Sequence, residues 1–194
     1  MIIWINGAFG SGKTQTAYEL QRRLPGSYVY DPENCGYFIR KNIPSGICTE
    51  DFQDCPLWRT FNFKMLDYIA QRHTGDIIVP MTIVNPAYYD ELIDRLSKVY
   101  DVRHIILYAQ KETLLKRLAS RLEGRHSWAA RQIDRCIKAF DEEIAGYIIH
   151  TDGMTISQVV ENVAAIAGVP LSEDRRNGLQ KLFDRIRTQY RHIR

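Results

Sequence analysis

A glycine-rich stretch only six residues into the chain constrains the fold more than any other feature. Gly7, Ala8, Phe9, Gly10, Ser11, Gly12, Lys13 and Thr14 fit the pattern G-x-x-x-x-G-K-[ST]. The pattern carries weight only between a strand and a helix. Residues 1–5 are apolar and strand-like, and residues 14–24 have helical periodicity and stop at Pro25-Gly26. The glycines let the backbone curl so that successive N–H groups converge on phosphate oxygens. The following helix adds the positive end of its dipole. Lys13 is expected to reach the β- and γ-phosphates, and the Thr14 hydroxyl to ligate Mg²⁺. The motif thus predicts binding of a nucleoside triphosphate with magnesium.

Strand and helix patterns alternate from there on. Strands are expected at 27–30, 76–81, 104–109 and 147–151, with helices over 35–42, 56–75, 86–98, 111–122, 127–145 and 156–168. Asn85-Pro86, Ser127 and the Thr155-x-x-Gln158 box supply helix starts. This alternation predicts an α/β fold, a nucleotide-kinase-like P-loop NTPase with a parallel sheet covered by helices on both faces. Ligands of such sheets gather at the carboxyl ends of the strands. The expected division is a kinase-like ATP-binding domain at 1–171 and a basic amphipathic helix at 172–194.

Beyond a phosphate cradle, phosphoryl transfer needs a group to orient or deprotonate the acceptor, and cations to neutralise moving charge. Asp31 and Glu33 follow the second strand, where the γ-phosphate should project. Asp31 is the candidate base or water-mediated magnesium partner; it could equally open a turn at Pro32 and cap the next helix. The third strand ends in Val79-Pro80-Met81-Thr82 with no acid, so the usual acidic partner of magnesium is missing there. Thr82 is either a ligand contact or a plain loop residue. Arg117, Arg121 and Arg125 recur every four residues away from the Leu114, Leu118, Leu122 face. With Gly124 they suggest a short lid whose arginines, Arg117 and Arg121 above all, clamp phosphates; the other reading is a solvated helix face.

Nine of the 21 aromatic residues fall between Tyr28 and Tyr68. Most are expected in the core, and Tyr37, Trp58 and Arg59 are the ones assigned to an acceptor slot suited to a planar base or an apolar chain. The loop Thr151-Asp152-Gly153 should lie near the nucleotide base. No Asn-Lys-x-Asp sequence is present, so ATP is the expected nucleotide.

The net charge of +3 is uneven: residues 173–194 carry +4, leaving −1 for the rest. Leu179, Leu182, Phe183, Ile186, Tyr190 and Ile193 form a helical stripe among seven bases. Three fates remain open for it. It can lie on an anionic membrane surface, pack on the body of the protein, or contact nucleic acid; of these, nucleic acid is the one not expected. No apolar run reaches the roughly 20 residues needed to cross a bilayer. The motif's early start leaves no room for a secretory signal. Cys35, Cys48, Cys55 and Cys136 show no C-x-x-C or zinc spacing and read as reduced thiols. A cytoplasmic protein is expected, lying peripherally at the inner face of the membrane.

The stretches 1–17, 28–33, 51–59, 78–84, 111–118, 127–136 and the final His192-Ile193-Arg194 together resemble the tunicamycin resistance proteins of bacilli across the whole chain. The resemblance implies ATP binding at Gly7–Thr14, membrane association, and protection against tunicamycin, which is built from uracil, sugars and a fatty acyl chain. Two functions follow as expectations. One is Mg-ATP-dependent phosphorylation of the drug or a nucleoside-like molecule. The other is ATP-dependent binding and sequestration of the drug at the membrane without modification.

Overall fold

The computed structural model describes residues 1–120 and 127–191. Five parallel strands form one sheet: β1 (Ile2–Gly7), β2 (Tyr28–Val29), β3 (Ile77–Pro80), β4 (Val102–Tyr108) and β5 (Tyr147–His150), in spatial order β2-β3-β1-β4-β5. The expected parallel sheet is present. Its central strand is the one that feeds the phosphate loop, with Ile5 paired to Pro80 on one side and Ile105 on the other. Burial on both faces explains why residues 2–5 of β1 are apolar throughout rather than alternating.

Alternate β1 side chains serve different cores. Ile3 and Ile5 pack with Ala17 and Leu20 of α1 (Lys13–Arg23) and with Val160 and Val163 of a later helix (Ile156–Ala167). Ile2 and Trp4 face the opposite side. There they meet Trp58 and Leu66 of α3 (Pro56–Ala70), beside α2 (Glu33–Asn42), and Leu92 and Leu96 of α4, a helix over 86–97 whose middle, Asp90–Asp94, is a π turn. A third cluster joins Ile106 to Leu114 and Leu118 of α5 (Lys111–Ala119) and to Ile133, Cys136 and Phe140 of α6 (Trp128–Glu142). Each fully buried Ile or Leu contributes roughly 1.5–3 kcal/mol relative to exposure.

Helix starts largely obey their local chemistry. Asn85 and Ser127 accept from N–H groups of the first turn, and Thr155 with Gln158 forms a complete capping box on α7, the Ile156–Ala167 helix. The last helix departs from expectation. It begins at Gly178, not after Ser172, because Asn177 and Gln180 form the reciprocal cap. The expected lid, with Arg121, Gly124 and Arg125, lies outside the described residues.

This last helix, α8 (Gly178–Arg191), docks with its polar side inward. Thr188 is 3% exposed and accepts from Arg22 of α1. Arg176, just ahead of the helix, is the hub: it pairs with the buried Glu19 and with Asp174 and Asp184. Hydrogen bonds from Arg176 and, less strongly, Lys181 hold the Asp174 carboxyl well below its usual range, against the raising effect of desolvation. The apolar stripe faces away: Leu179, Leu182, Phe183, Ile186 and Tyr190 are all more than half exposed. Of the three fates left open for the stripe, packing on the body is not the one that this orientation gives. The ion-pair network, which is strongest on the polar face, decides which side of the helix docks. Among the described residues no helix is long and apolar enough to cross a membrane.

Candidate functional site: a phosphate loop opening on an acceptor cleft

At the carboxyl end of β1 the backbone turns through left-handed geometry, with φ of 143° at Gly7, 83° at Gly10 and 99° at Gly12. Two of these positions admit nothing but glycine for separate reasons. A Cβ on Gly7 would stand 2.5 Å from the Leu107 carbonyl oxygen of β4. Gly12 holds the N-cap position of α1 in the left-handed region, where a side chain is strained whatever the space.

The loop is buttressed from beneath. Asn6 Oδ1 accepts the Gly7 N–H (2.8 Å) and the Ile83 N–H (2.9 Å), and Asn6 Nδ2 donates to the Ile83 carbonyl. His104 of β4 completes this layer, with Nε2 at 3.0 Å from Asn6 Nδ2 and Nδ1 at 2.8 Å from the Ala145 carbonyl. Burial pushes the His104 pKa down to about 4, against a smaller raising effect of the Ala145 hydrogen bond. Thr82, after β3, donates its hydroxyl to the Gly7 carbonyl at 2.8 Å and is buried. Its place is under the loop.

Lys13 is 9% exposed, and its Nζ donates to the carbonyls of Gly7 (3.0 Å) and Ala8 (3.1 Å). The ammonium also lies 5.5 Å from the centroid of the Phe9 ring. Ser11 Oγ is buried with no hydrogen-bond partner among the described residues. Such an orphan in a loop of converging N–H groups is what a cradle for a many-oxygened anion leaves behind. The residues therefore fit a nucleotide phosphate. Thr14 lines the adjoining cleft next to Lys13.

A cleft of about 480 Å³ opens from the loop. Its lining combines Phe9, Lys13 and Thr14 of the loop with Tyr37 and Arg40 of α2, Glu33 at its start and the 50–53 segment. Trp128 of α6 and Gln189 of α8 complete the lining. Phe9 and Trp128 meet edge-to-face at 5.1 Å, and Tyr37 and Phe52 at 6.2 Å. Asp51 is buried, accepts from the Gln53 N–H, and pairs with Arg135 of α6 at 3.2 Å.

The sequence-derived candidates divide. Gly10, Gly12, Lys13, Thr14 and Tyr37 come together in the cleft. Asp31 sits at the start of α2, where its Oδ1 accepts the Glu33 N–H at 3.0 Å, and the acids that line the cleft are Glu33, Glu50 and Asp51. Arg117 ties the loop to the far end of the sheet: it donates to the Ser11 carbonyl (3.4 Å), the Thr151 hydroxyl (3.1 Å) and the Thr151 carbonyl (2.7 Å). Arg121 lies outside the described residues. Trp58 is fully buried with its indole N–H on the Pro32 carbonyl, so it is core and not a ligand wall. Arg59 is spent on Glu91 (2.6 Å), the Gln53 carbonyl (2.6 Å) and the Tyr88 ring. Asp152, beside the expected base site, receives a Thr113 hydrogen bond and the Gln110 N–H, which lower its pKa. Gln15, Trp128 and Gln189 were missed; only Trp128, one residue past a helix cap, had a local signal.

The sequence profile described as the AAA domain matches residues 2–142. The solved structure of the Deinococcus radiodurans tunicamycin resistance protein is 35% identical, with a TM-score of 0.76, over 89% of this chain and 98% of that one. The chain belongs to the tunicamycin resistance protein family. Outside this family the likeness is of fold alone. A Janibacter sugar kinase is 18% identical (TM-score 0.61, 87% of this chain and 94% of that one). Shikimate kinase from Bacteroides thetaiotaomicron is also 18% identical (TM-score 0.61, 87% and 99%). No curated protein sequence matches. The family assignment read from the sequence stands, and with it the P-loop, kinase-like sheet.

Proposed function

We propose that the protein binds Mg-ATP and confers tunicamycin resistance by phosphorylating the drug or a nucleoside-like molecule. The observation that carries this reading is the single cleft joining the Lys13 loop to a second half lined by Glu33, Tyr37 and Phe52. A pure nucleotide-binding module has no use for that second half. A relative 35% identical over nearly the whole chain is a tunicamycin resistance protein, which supports the choice of substrate.

In this reading Gly7–Thr14 hold the triphosphate and Lys13 neutralises the oxygens of the transferred group. Asp31 takes the proton of the acceptor hydroxyl, with Glu33 as the neighbouring acid whose variant must be compared. The acceptor oxygen forms the new P–O bond as the bond to ADP breaks, and the products are ADP and a phosphomonoester. Mg²⁺ held by Thr14 and, through water, Asp31 would lower the repulsion between phosphate oxygens and the attacking hydroxyl. Clamping of the phosphates falls to Arg117 and Arg121; Arg117 stands one hydrogen bond from the loop.

A second reading, sequestration without chemistry, is favoured by Thr82 standing under the loop where related machinery would put an acid after β3. Both readings place the protein in the cytoplasm, against the inner membrane surface through residues 173–194. The outward stripe of α8 supports that location. Mass spectrometry of tunicamycin after incubation with protein and Mg-ATP tests the choice. A gain of one phosphoryl group, lost in Asp31→Asn, is expected. Unmodified drug recovered from a tight complex would leave sequestration in its place.

A further inference from the structure

Helix α8 meets the cleft as well as the body. Gln189, in its last turns, lines the same cavity as Thr14, Gln15, Glu33 and Tyr37. Its position is fixed from two sides. Gln15 Nε2 donates to the Arg185 carbonyl at 2.9 Å, one turn before Gln189. Thr188, its neighbour, is held by Arg22 at 2.8 Å. Gln15 Oε1 is buried and has no hydrogen-bond partner among the described residues. A desolvated acceptor without a donor is an unmet cost that an incoming O–H or N–H removes.

The charge around this end is informative. Glu33, Glu50 and Asp51 line the cleft against Lys13 and Arg40. Lys13 belongs to the phosphate loop. Arg40 spends its guanidinium on the carbonyls of Thr49 and Glu50. The arginines of α6 that reach these carboxylates are paired with them, Arg131 with Glu50 (3.7 Å) and Arg135 with Asp51 (3.2 Å). An acceptor bringing its own phosphate would therefore meet cations that are already engaged, and its dianion has no proton to give Gln15. Side-chain amides offer donors and acceptors without charge.

We propose that the C-terminal helix is a wall of the acceptor site, that Gln189 is a specificity-determining contact, and that the acceptor has a neutral, hydroxyl- or imide-bearing head with no phosphate. This rests on the acceptor half assigned above but not on the drug itself. The amide of Gln189 hydrogen-bonds the head, and Gln15 positions the helix and accepts from the same head.

Calorimetric titration of the full chain, with Mg²⁺ and a non-hydrolysable ATP analogue present, tests it. The probes are tunicamycin, uridine and uridine 5′-monophosphate. The wild type is expected to bind a neutral probe more tightly than the monophosphate. Gln189→Ala and Gln189→Glu are expected to weaken the neutral probe about fivefold to tenfold. The analogue's own Kd and the melting temperature should not change. A parallel loss of analogue affinity, an unaltered neutral-probe affinity in both variants, or a preference for the monophosphate overturns the inference. If tunicamycin binds the variants as well as the wild type, the drug reading stands and this inference falls. If uridine binds and depends on Gln189 while tunicamycin does not bind, the drug reading falls and this one stands. If no neutral probe binds the wild type, both fall.

Discussion

The phosphate loop and the C-terminal helix turn opposite sides to the solvent. In the loop the reactive groups are drawn in: Lys13 and Ser11 are both under one-tenth exposed, and Asn6, Thr82 and His104 pack beneath. In α8 the polar groups are drawn in, through Arg176, Glu19 and Thr188, and the apolar side chains are pushed out. A site whose shape is enforced from below is ready before its ligand arrives. A helix whose largest apolar groups face water owes its place on the body to its polar contacts, and its stripe is the surface proposed above to meet the membrane.

The sharpest way to break this contrast is Lys13→Ala. Hydrogen bonds to charged groups are worth about 1.5–3 kcal/mol each, so loss of the ammonium should weaken Mg-ATP binding on the order of a hundredfold or more. Isothermal titration and a resistance assay in cells should fall together. Retained resistance without ATP binding would separate the loop from the function altogether.

The two regions were also unequally legible. The loop's geometry is written in residue types that tolerate few alternatives: glycine where φ is positive, lysine at one fixed spacing. The strand order, the burial of Trp58 and the place of Arg59 depend on partners far along the chain, so an aromatic or a cation in the acceptor segment carried no sign of its own. Asp31 shows the limit well. Its neighbour Pro32 announced a turn, and the structure gives one of its oxygens to that turn while Glu33 lines the cleft. For α8 the stripe was plain in the sequence, but its direction was not. The direction is set by Glu19, 157 residues before Arg176.

His104 tests the enforcement from beneath. Its folded-state pKa is depressed to about 4 from 6.5, chiefly by burial. Between these values the unfolded chain binds a proton that the folded chain refuses. The stability is therefore fully present above about pH 6.5 and is lost progressively as pH falls towards 4, by about 3 kcal/mol. Urea midpoints at pH 7, 5.5 and 4 should show that loss in the wild type and a smaller one in His104→Gln. An identical pH profile for the two would mean that the layer under Gly7 does not depend on a neutral imidazole.

The smaller effect comes from the two sides of α8 itself. Arg176→Ala removes the hub and leaves the Glu19 carboxylate, whose side chain is 5% exposed, without its strongest partner. Because Arg176 is itself 22% exposed, the cost lies between that of a buried and a surface pair, on the order of 2 kcal/mol. Leu182→Asp changes the opposite side, where the leucine is 52% exposed and little is lost on folding. Denaturant melts should therefore shift for Arg176→Ala and hardly at all for Leu182→Asp. Flotation with anionic vesicles should show the reverse order, with Leu182→Asp the weaker binder, since a charge placed in the stripe must be desolvated at the lipid interface. If Leu182→Asp instead unfolds the protein while still floating with vesicles, the stripe is part of the core, and the outward orientation of the helix is wrong.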